Sequence, residues 1–511
     1  MLKQIRSRFR CGANRYPHQP TNVNTPKQHR QPPRRALYVG VFVVMVLLAP
    51  ARGLTPAYAA EPGRDATIPT NGTTLYIPLT YNYYHASRAQ TAFGTQMYGY
   101  SGFDLPEWGA LNESGATWIR NELAWRSVEP ENTTPANYNW NTVARVVAAA
   151  RDGNFNILLT FNFAPEWAAE STNGPIYADN LDDFAEYVGA VVERLDGDGI
   201  DDLPGSPVVT HFQFYNEPDR SPAPDDRGGW GYAPEAYADM LKAVAPAVRA
   251  ANPEAKIVFG GLAHDWFEEQ GGPYVRSFLD DVLAQDVGDS FDVFSFHVYP
   301  PFAANWTTRG PGLYEKTLHI RDILTDHGLD KPMMISEAGM HSNDDPGYPM
   351  TEELQARYVP ELYAEAIAAG VQTLFWFSFV DPPSWYPYQN GLVTDEDPPR
   401  RKPAYRTYQR TAQILSDAHG DGVLSTAETG DPAMQVYRLR DDAGGRTVYV
   451  AWMTPIDGNG AAALALPGTA ATVTTIHGQT STVNDANDGV RDGSFTVNVT
   501  AQPVFIEVNT P

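Results

Sequence analysis

Two short stretches carry carboxylates to places where chemistry can use them. FQFYNEPDR (212–220) runs from apolar, strand-forming residues straight into Asn216, Glu217 and Pro218. PMMISEAGM (332–340) does the same with Glu337, whose small neighbours Ala338 and Gly339 leave room for a ligand. Two facing carboxylates suit the cleavage of a glycosidic bond. One protonates the leaving oxygen, while the other attacks the anomeric carbon or directs water to it. The acid needs its pKa raised, by burial or by a nearby negative charge, and the second carboxylate supplies such a charge. The bland alternatives are a capping or ion-paired loop glutamate at 217 and a chance Ser-Glu pair at 337.

The elements that must position these groups repeat along the chain. Strand-like segments fall at 96–104, 117–125, 156–162, 209–216, 256–263, 293–300, 332–339 and 373–380. Several are almost wholly apolar, as expected when both faces of a sheet are covered. Ala-rich segments at 141–153, 181–195, 235–251 and 351–370 place apolar residues at helical spacing. Eight such units over 96–416 predict an α/β fold, a TIM (β/α)8 barrel, in preference to a doubly wound open sheet. A barrel's active site lies at the C-terminal ends of its strands. Glu217 then follows strand four and Glu337 ends strand seven, on opposite sides of the ring. Past Leu415 the pattern changes. Residues 420–511 give short alternating runs such as MQVYRLR, RTVYVAWMT and PVFIEVN between Gly, Asp and Asn turns. They predict a small antiparallel β-sandwich domain.

Other residues at the predicted mouth suit the same chemistry. FHVYP places His297 and Tyr299 at the end of strand six, where alternation points both the same way. Tyr299 could orient Glu337, and Arg120, ending strand two in WIRNELAW, could pair with it. Trp376 ends strand eight and could floor a sugar ring, since aromatic faces pack on the apolar faces of sugars. Asn216 can donate to a substrate oxygen. Each has a structural alternative: a buried hydrogen-bonded His or Tyr, an ion pair within the barrel for Arg120, a core position for Trp376. Trp125, Trp167, Trp306 and Trp385 read as packing, and His264 as a loop or subsite residue. DGDGIDDLPG (196–205) has the look of a calcium loop with Asp196, Asp198 and Asp202 as ligands in a structural role. No Glu stands at the twelfth position, and the alternative is a solvated acidic turn. There is no His-rich motif for a catalytic metal, and no cofactor is required.

NEP after strand four, H-x-Y after strand six, S-E after strand seven and Trp on strand eight together resemble the retaining (β/α)8 glycoside hydrolases of clan A. The resemblance covers about 96–416, including the exit GLVTDEDPPRRKPAYRTYQ (391–409). It implies Glu217 as acid/base, Glu337 as nucleophile and Asn216 as the contact to the sugar 2-hydroxyl. Arg120, His297, Tyr299 and Trp376 carry over to the catalytic subsite. Within the clan, TFNFAPEWA lacks the His that family 5 usually places near the end of strand three. Its Pro165-Glu166-Trp167 turn is more similar to family 39, with family 5 next.

Composition narrows the setting. The first 60 of 511 residues hold ten Lys or Arg and no Asp or Glu. A basic region, the apolar run 37–49 and Ala57-Tyr58-Ala59 read as a secretory signal over 1–59, with an uncleaved membrane anchor as the alternative. Residues 60–95 read as a linker or barrel lead-in. Cleavage removes ten of 37 basic residues and leaves 27 against 61 acidic ones, a net charge of −34. Such acidity disfavours nucleic acid. It also removes Cys11, the one cysteine, and with it any disulfide or thiol chemistry. The expectation is a secreted or cell-surface bacterial protein acting on a poly- or oligosaccharide, with no protein partner. The rival from another class is a non-catalytic carbohydrate-binding protein on the same barrel; within the enzymes it is an inverting hydrolase.

Overall fold

The computed structural model describes residues 93–97, 108–153, 155–222, 229–299, 312–344, 350–383, 386–486 and 489–509. The expected signal segment, nearly all of the lead-in, Trp306 and Trp385 lie outside them. Eight parallel strands form the barrel: β1 (Phe93–Gln96), β2 (Trp118–Ala124), β3 (Asn156–Asn162), β4 (His211–Phe214), β5 (Lys256–Val258), β6 (Phe294–Val298), β7 (Met333–Ala338) and β8 (Thr373–Trp376). Their order is β5-β4-β3-β2-β1-β8-β7-β6. Parallel bridges Val258–Val293 and Leu262–Phe296 join β5 to β6 and close the ring. Seven strands fall inside the segments expected for them. The first strand starts three residues inside the stretch assigned to the lead-in, and 98–104 lie outside the described residues.

Among the described residues, ten α-helices accompany the barrel strands: α1 (Trp108–Glu113), α2 (Trp125–Val128), α3 (Trp140–Val146), α4 (Ala148–Gly153), α5 (Leu181–Glu193), α6 (Pro234–Ala251), α7 (Phe278–Leu283), α8 (Leu313–Asp326), α9 (Glu352–Ala368) and α10 (Pro403–Leu415). The single helix expected over 141–153 is broken at Val147 into α3 and α4. α5 shows why the pattern works: Phe184, Tyr187, Val188, Val191 and Val192, at three- and four-residue spacing, are all buried against the sheet. Thr351 caps α9, its side chain accepting from Leu354 N.

Inside the barrel the strands alternate. Trp118, Leu158, Val258, Val293, Met334 and Phe375 form one apolar plug across the base. One step up each strand the inward residues become polar: Arg120, Thr160, Gln213 and Ser336, all without solvent exposure. The base is thus an ordinary core, and the layer above it is a platform for the mouth.

The C-terminal region holds a six-stranded antiparallel sheet, ordered β14-β13-β16-β11-β10-β9, and a two-stranded sheet, β12-β15. The strands are β9 (His419–Val423), β10 (Met434–Asp441), β11 (Arg446–Met453), β12 (Ala461–Pro467), β13 (Ala470–Thr475), β14 (Thr480–Asn484), β15 (Ser494–Thr500) and β16 (Val504–Asn509). Leu464, Leu466, Phe495 and Val497 meet Val436, Ala451 and Ile506 between the sheets. The other face of the large sheet, with Tyr437, Leu439, Val450 and Trp452, joins the barrel's own core.

Candidate active site

The chain delivers Glu217 by leaving the strand abruptly. Tyr215 and Glu217 both take left-handed backbone, with φ of 66° and 47°, a conformation that costs a non-glycine residue about 1 kcal/mol or more. The surroundings hold it there. Glu217 N donates to Gly261 O at 2.9 Å, and Asn216 bridges Gly261 as a last parallel pair. Asp219, two residues on, is buried and accepts from Ala263 N and His264 N, so the turn is pinned to the loop after β5.

Glu337 arrives by a different device. The β6–β7 register runs Phe296–Ile335 and then His297–Glu337, skipping Ser336. β7 also slips against β8 between Ile335 and Ala338. Ser336 and Glu337 can thus both serve the barrel interior, where strict alternation would send one of them outward. Gly339 follows where a Cβ would come within 2.6 Å of Phe377 O.

Arg120 ties the two together. From the polar layer its guanidinium donates to five acceptors: Glu337 Oε1 at 2.6 Å, Asn216 Oδ1 at 2.7 Å, Gln213 Oε1 at 2.8 Å, Thr160 Oγ1 at 3.2 Å and Gln96 Oε1 at 3.2 Å. With Asn216 Oδ1 so occupied, its amide Nδ2 is left as the donor toward the cleft. Arg120 does not end its strand, as the sequence suggested, but sits third in β2, below the mouth.

The remaining contacts give each glutamate its own partners. Glu217 Oε1 lies 3.1 Å from His297 Nδ1, and its Oε2 accepts from Tyr274 Oη at 2.6 Å. Glu337 Oε2 accepts from Tyr299 Oη at 2.8 Å and lies 3.7 Å from the same His297 Nδ1. One oxygen from each carboxylate and a ring nitrogen of His297 fall within 4.8 Å of one another. A cleft of roughly 390 Å³ opens over them, lined also by Arg220, Trp266, His341, Phe377, Tyr386, Tyr388 and Asn390.

Electrostatics set the state of Glu217. Burial raises Glu217, but the hydrogen bond and charge of His297, the hydrogen bond from Tyr274 and the charge of Arg220 outweigh it. The net result is a carboxyl below its ordinary value. In the free protein, then, Glu217 is not the raised acid that the sequence suggested, because its bonds with His297 and Tyr274 and the nearby charges outweigh its burial. A third carboxyl, Glu122, lines the cleft two residues beyond Arg120 on β2. Burial raises it and the charge of Glu337 adds to this, while Arg120 opposes both.

The structure therefore gathers Asn216, Glu217, Glu337, Arg120, His297 and Tyr299 at one site. Trp376 is not with them. It is fully buried in the main core, with Nε1 donating to Asn390 O at 3.0 Å. Phe377, one residue on, lines the cleft in its place, because neighbouring residues of an extended chain face opposite ways. Trp125 and Trp167 pack edge to face at 5.0 Å, and His264 is buried against Phe267. The acidic loop does converge, with one oxygen each from Asp196, Asp198 and Asp202 within 4.8 Å. Those carboxylates accept N–H groups of their own loop, from Gly197, Asp198, Gly199 and Ile200. Tyr274, Glu122, Gln213, Phe377 and Arg220 were not singled out from the sequence. Glu122 and Gln213 carry a period-two signal, since each shares a strand face with a polar inward residue. Tyr274 and Arg220 sit in irregular chain and carry none.

Residues 107–378 match the family model described as cellulase (glycosyl hydrolase family 5). No curated protein matches the chain. Among solved structures, the fold is similar to a family 39 glycoside hydrolase from Bacteroides cellulosilyticus WH2, at 19% identity and TM-score 0.61 over 82% of each chain. It is also similar to a glucosidase from Croceicoccus marinus, at 16% identity and TM-score 0.56 over 83% of this chain and 96% of that one. A monomeric beta-xylosidase from Caulobacter crescentus CB15 gives 16% identity and TM-score 0.53 over 82% and 96%. The fold likeness thus reaches family 39, which the sequence motifs placed first, while the matching model is that of family 5, placed next. That model spans more than half of the chain, which belongs to the glycosyl hydrolase family it describes, within clan A, is most like family 39 in fold, and is an O-glycosyl hydrolase.

Proposed function

We propose that the chain is a secreted, retaining hydrolase of β-glycosidic bonds in a poly- or oligosaccharide, with Glu337 as nucleophile and Glu217 as acid/base. The observation that carries this reading is the approach of one oxygen from each glutamate to within 4.8 Å. Retaining pairs stand about 5–5.5 Å apart, whereas inverting pairs need about 6.5–9.5 Å to admit a water. The partners sort the roles. Glu337, held by Arg120 and Tyr299, is aimed and backed by a fixed cation, as a nucleophile requires. Glu217 sits on the more open side of the pair, with His297 and Tyr274 as proton-bearing neighbours.

In the first step a Glu337 oxygen bonds to the anomeric carbon as the bond to the leaving oxygen breaks. That oxygen takes the proton of Glu217, and a glycosyl ester forms on Glu337. In the second, Glu217, now ionised, takes a proton from water. The hydroxide equivalent attacks the same carbon, the ester bond breaks, and the sugar departs with its original configuration. Asn216, fixed by Arg120, presents its amide to the 2-hydroxyl, and Phe377 offers an aromatic wall. Secretion rests on the basic and apolar N-terminal composition. No helix among the described residues is long and apolar enough to cross a membrane.

NMR of the first-formed anomer from an aryl β-glycoside panel tests the mechanism; a first product of inverted configuration would overturn it. The roles are tested by azide. Glu337→Gly with azide should yield the α-glycosyl azide and Glu217→Ala the β-glycosyl azide. Wild-type turnover rates in both variants would refute the assignment.

A further inference from the structure

The cleft holds a cation that the mechanism above does not use. Arg220 lies three residues beyond Glu217 and lines the cleft. Among the described residues its guanidinium has no ion pair or side-chain hydrogen bond, and its Nε is buried without a partner. The contrast with Arg120, beneath the cleft, is sharp, since Arg120 is saturated by five acceptors. Nε is walled in, whereas the two terminal nitrogens are not among the buried atoms and make no hydrogen bond among the described residues, which leaves them as the donors for a ligand group in the cleft.

The position is built rather than incidental. Arg220 N donates to Glu217 O at 3.1 Å and its carbonyl accepts from Gly231 N at 2.9 Å. On either side, Asp219 O accepts from Val275 N at 2.9 Å and Ser221 N donates to Pro273 O at 2.8 Å. Arg220 also forms an antiparallel bridge with Tyr274, whose hydroxyl holds Glu217. Gly229 and Gly231 cross Arg220 so closely that neither has room for a Cβ. Backbone on every side thus fixes the main chain from which this side chain reaches the cleft.

Its location names what it would meet. Glu217 donates its proton to the leaving oxygen, so groups beyond Glu217 and away from Glu337 face the leaving sugar. Tyr274 bonds Glu217, the charge of Arg220 acts on Glu217, and Trp266 lines the same cleft with 38% of its surface exposed. A guanidinium pairs best with a planar carboxylate, through two parallel hydrogen bonds. On a chain of net charge −24 a lone cation does not attract anions in general; it selects one at a point. We infer that the residue on the leaving-group side of the scissile bond carries a carboxylate, as a uronic acid does, and that Arg220 binds it. This rests on the hydrolase reading and narrows its substrate to an acidic saccharide.

The chemistry is self-consistent. Asp219, next to Arg220 in sequence, has its two oxygens engaged by Ala263 N and His264 N; while Glu217 is ionised, its charge and that of Arg220 act on each other. When Glu217 carries the proton needed for the first step, that countercharge is gone, and the substrate carboxylate replaces it. An acidic substrate would thereby favour the protonated form of its own acid.

The test uses 4-carboxyphenyl β-glycosides of glucose, xylose and galactose, each beside its methyl ester. The two differ in charge at the leaving group, and comparing variants cancels their different intrinsic reactivity. For whichever sugar is turned over, the ratio of kcat/KM for acid over ester should fall roughly tenfold or more from wild type to Arg220→Gln, the effect of losing a charged hydrogen bond. Arg220→Lys should recover part of it, and added salt should lower the wild-type ratio. A ratio that is the same in wild type and Arg220→Gln overturns the inference and leaves the hydrolase reading standing. Turnover of neither series by wild type counts against the hydrolase reading instead. Calorimetric binding of the 4-carboxyphenyl glycosides then still decides Arg220, by whether affinity for the acid over the ester is lost in Arg220→Gln.

Discussion

Tyr274 donates its hydroxyl to Glu217 Oε2 at 2.6 Å, from a loop between β5 and α7. That bond stabilises the ionised carboxylate and opposes the effect of burial on Glu217. Its consequence is a position on the pH axis. Catalysis by Glu217 as acid requires the proton, so the alkaline limb of kcat/KM follows the Glu217 carboxyl in the free enzyme. Removing a donor to the anion raises that carboxyl and lets the acid form persist to higher pH. Tyr274→Phe should therefore move the alkaline limb upward by roughly one pH unit, the worth of one charge-assisted hydrogen bond. A limb that stays in place or moves down would show that Tyr274 does not act on Glu217.

Trp376 and Phe377 are neighbours with opposite duties, and one pair of substitutions separates them. Trp376→Phe removes volume and the Nε1 bond to Asn390 O from a fully buried site. It should lower the unfolding free energy by about 1–3 kcal/mol, with kcat/KM changed less than about threefold. Phe377→Leu keeps the bulk but removes the aromatic wall. It should lower kcat/KM by roughly tenfold, the scale of one aromatic contact, with a smaller shift in Tm. Thermal unfolding beside kinetics on one aryl glycoside reads both. The reverse pattern would restore Trp376 as the sugar floor.

The same pair shows what a sequence can and cannot reveal. Segments with a clear period were legible: β3 fell at 156–162, as expected, and α5 within two residues of its expected end. Glu217 and Glu337 were legible because each closes an apolar run. Errors came where alternation was not strict. Trp376 does end strand eight, but which of two adjacent residues faces inward depends on register, and β7 and β8 slip against each other here. In the C-terminal domain β9 (HGDGV), β12 (AAALALP) and β14 (TSTVN) were not foreseen. Gly in β9 and Ala in β12 carry little β preference, and all three strands are held by their neighbours in the sheet. Tyr274 and Arg220 were invisible for a further reason. Their positions depend on bridges between irregular loops, for which no local pattern exists.

A last prediction concerns the seam where the barrel meets the C-terminal sheet. Glu365, on α9, is buried, and its Oε2 accepts from Leu313 N at 2.7 Å and Tyr314 N at 3.1 Å, at the start of α8. Glu315 on α8, Glu361 on α9 and Tyr437 on β10 also face this seam. Burial, with the charge of Glu315 adding to it, pushes the Glu365 carboxyl up to about 8, against the two backbone bonds. The folded protein therefore holds this proton until that pH, whereas the unfolded chain releases it near about 4.3. With more protons bound in the folded state across that window, stability is fully present below the unfolded value and is lost as pH rises through the folded one. Glu365→Gln keeps an acceptor oxygen for the α8 amides and removes the titration. Its Tm should match wild type near about pH 5 and exceed it by several degrees near about pH 9. Unfolding curves across that range decide it: parallel profiles for the two proteins would mean that Glu365 is solvated or ion-paired rather than a buried neutral acid.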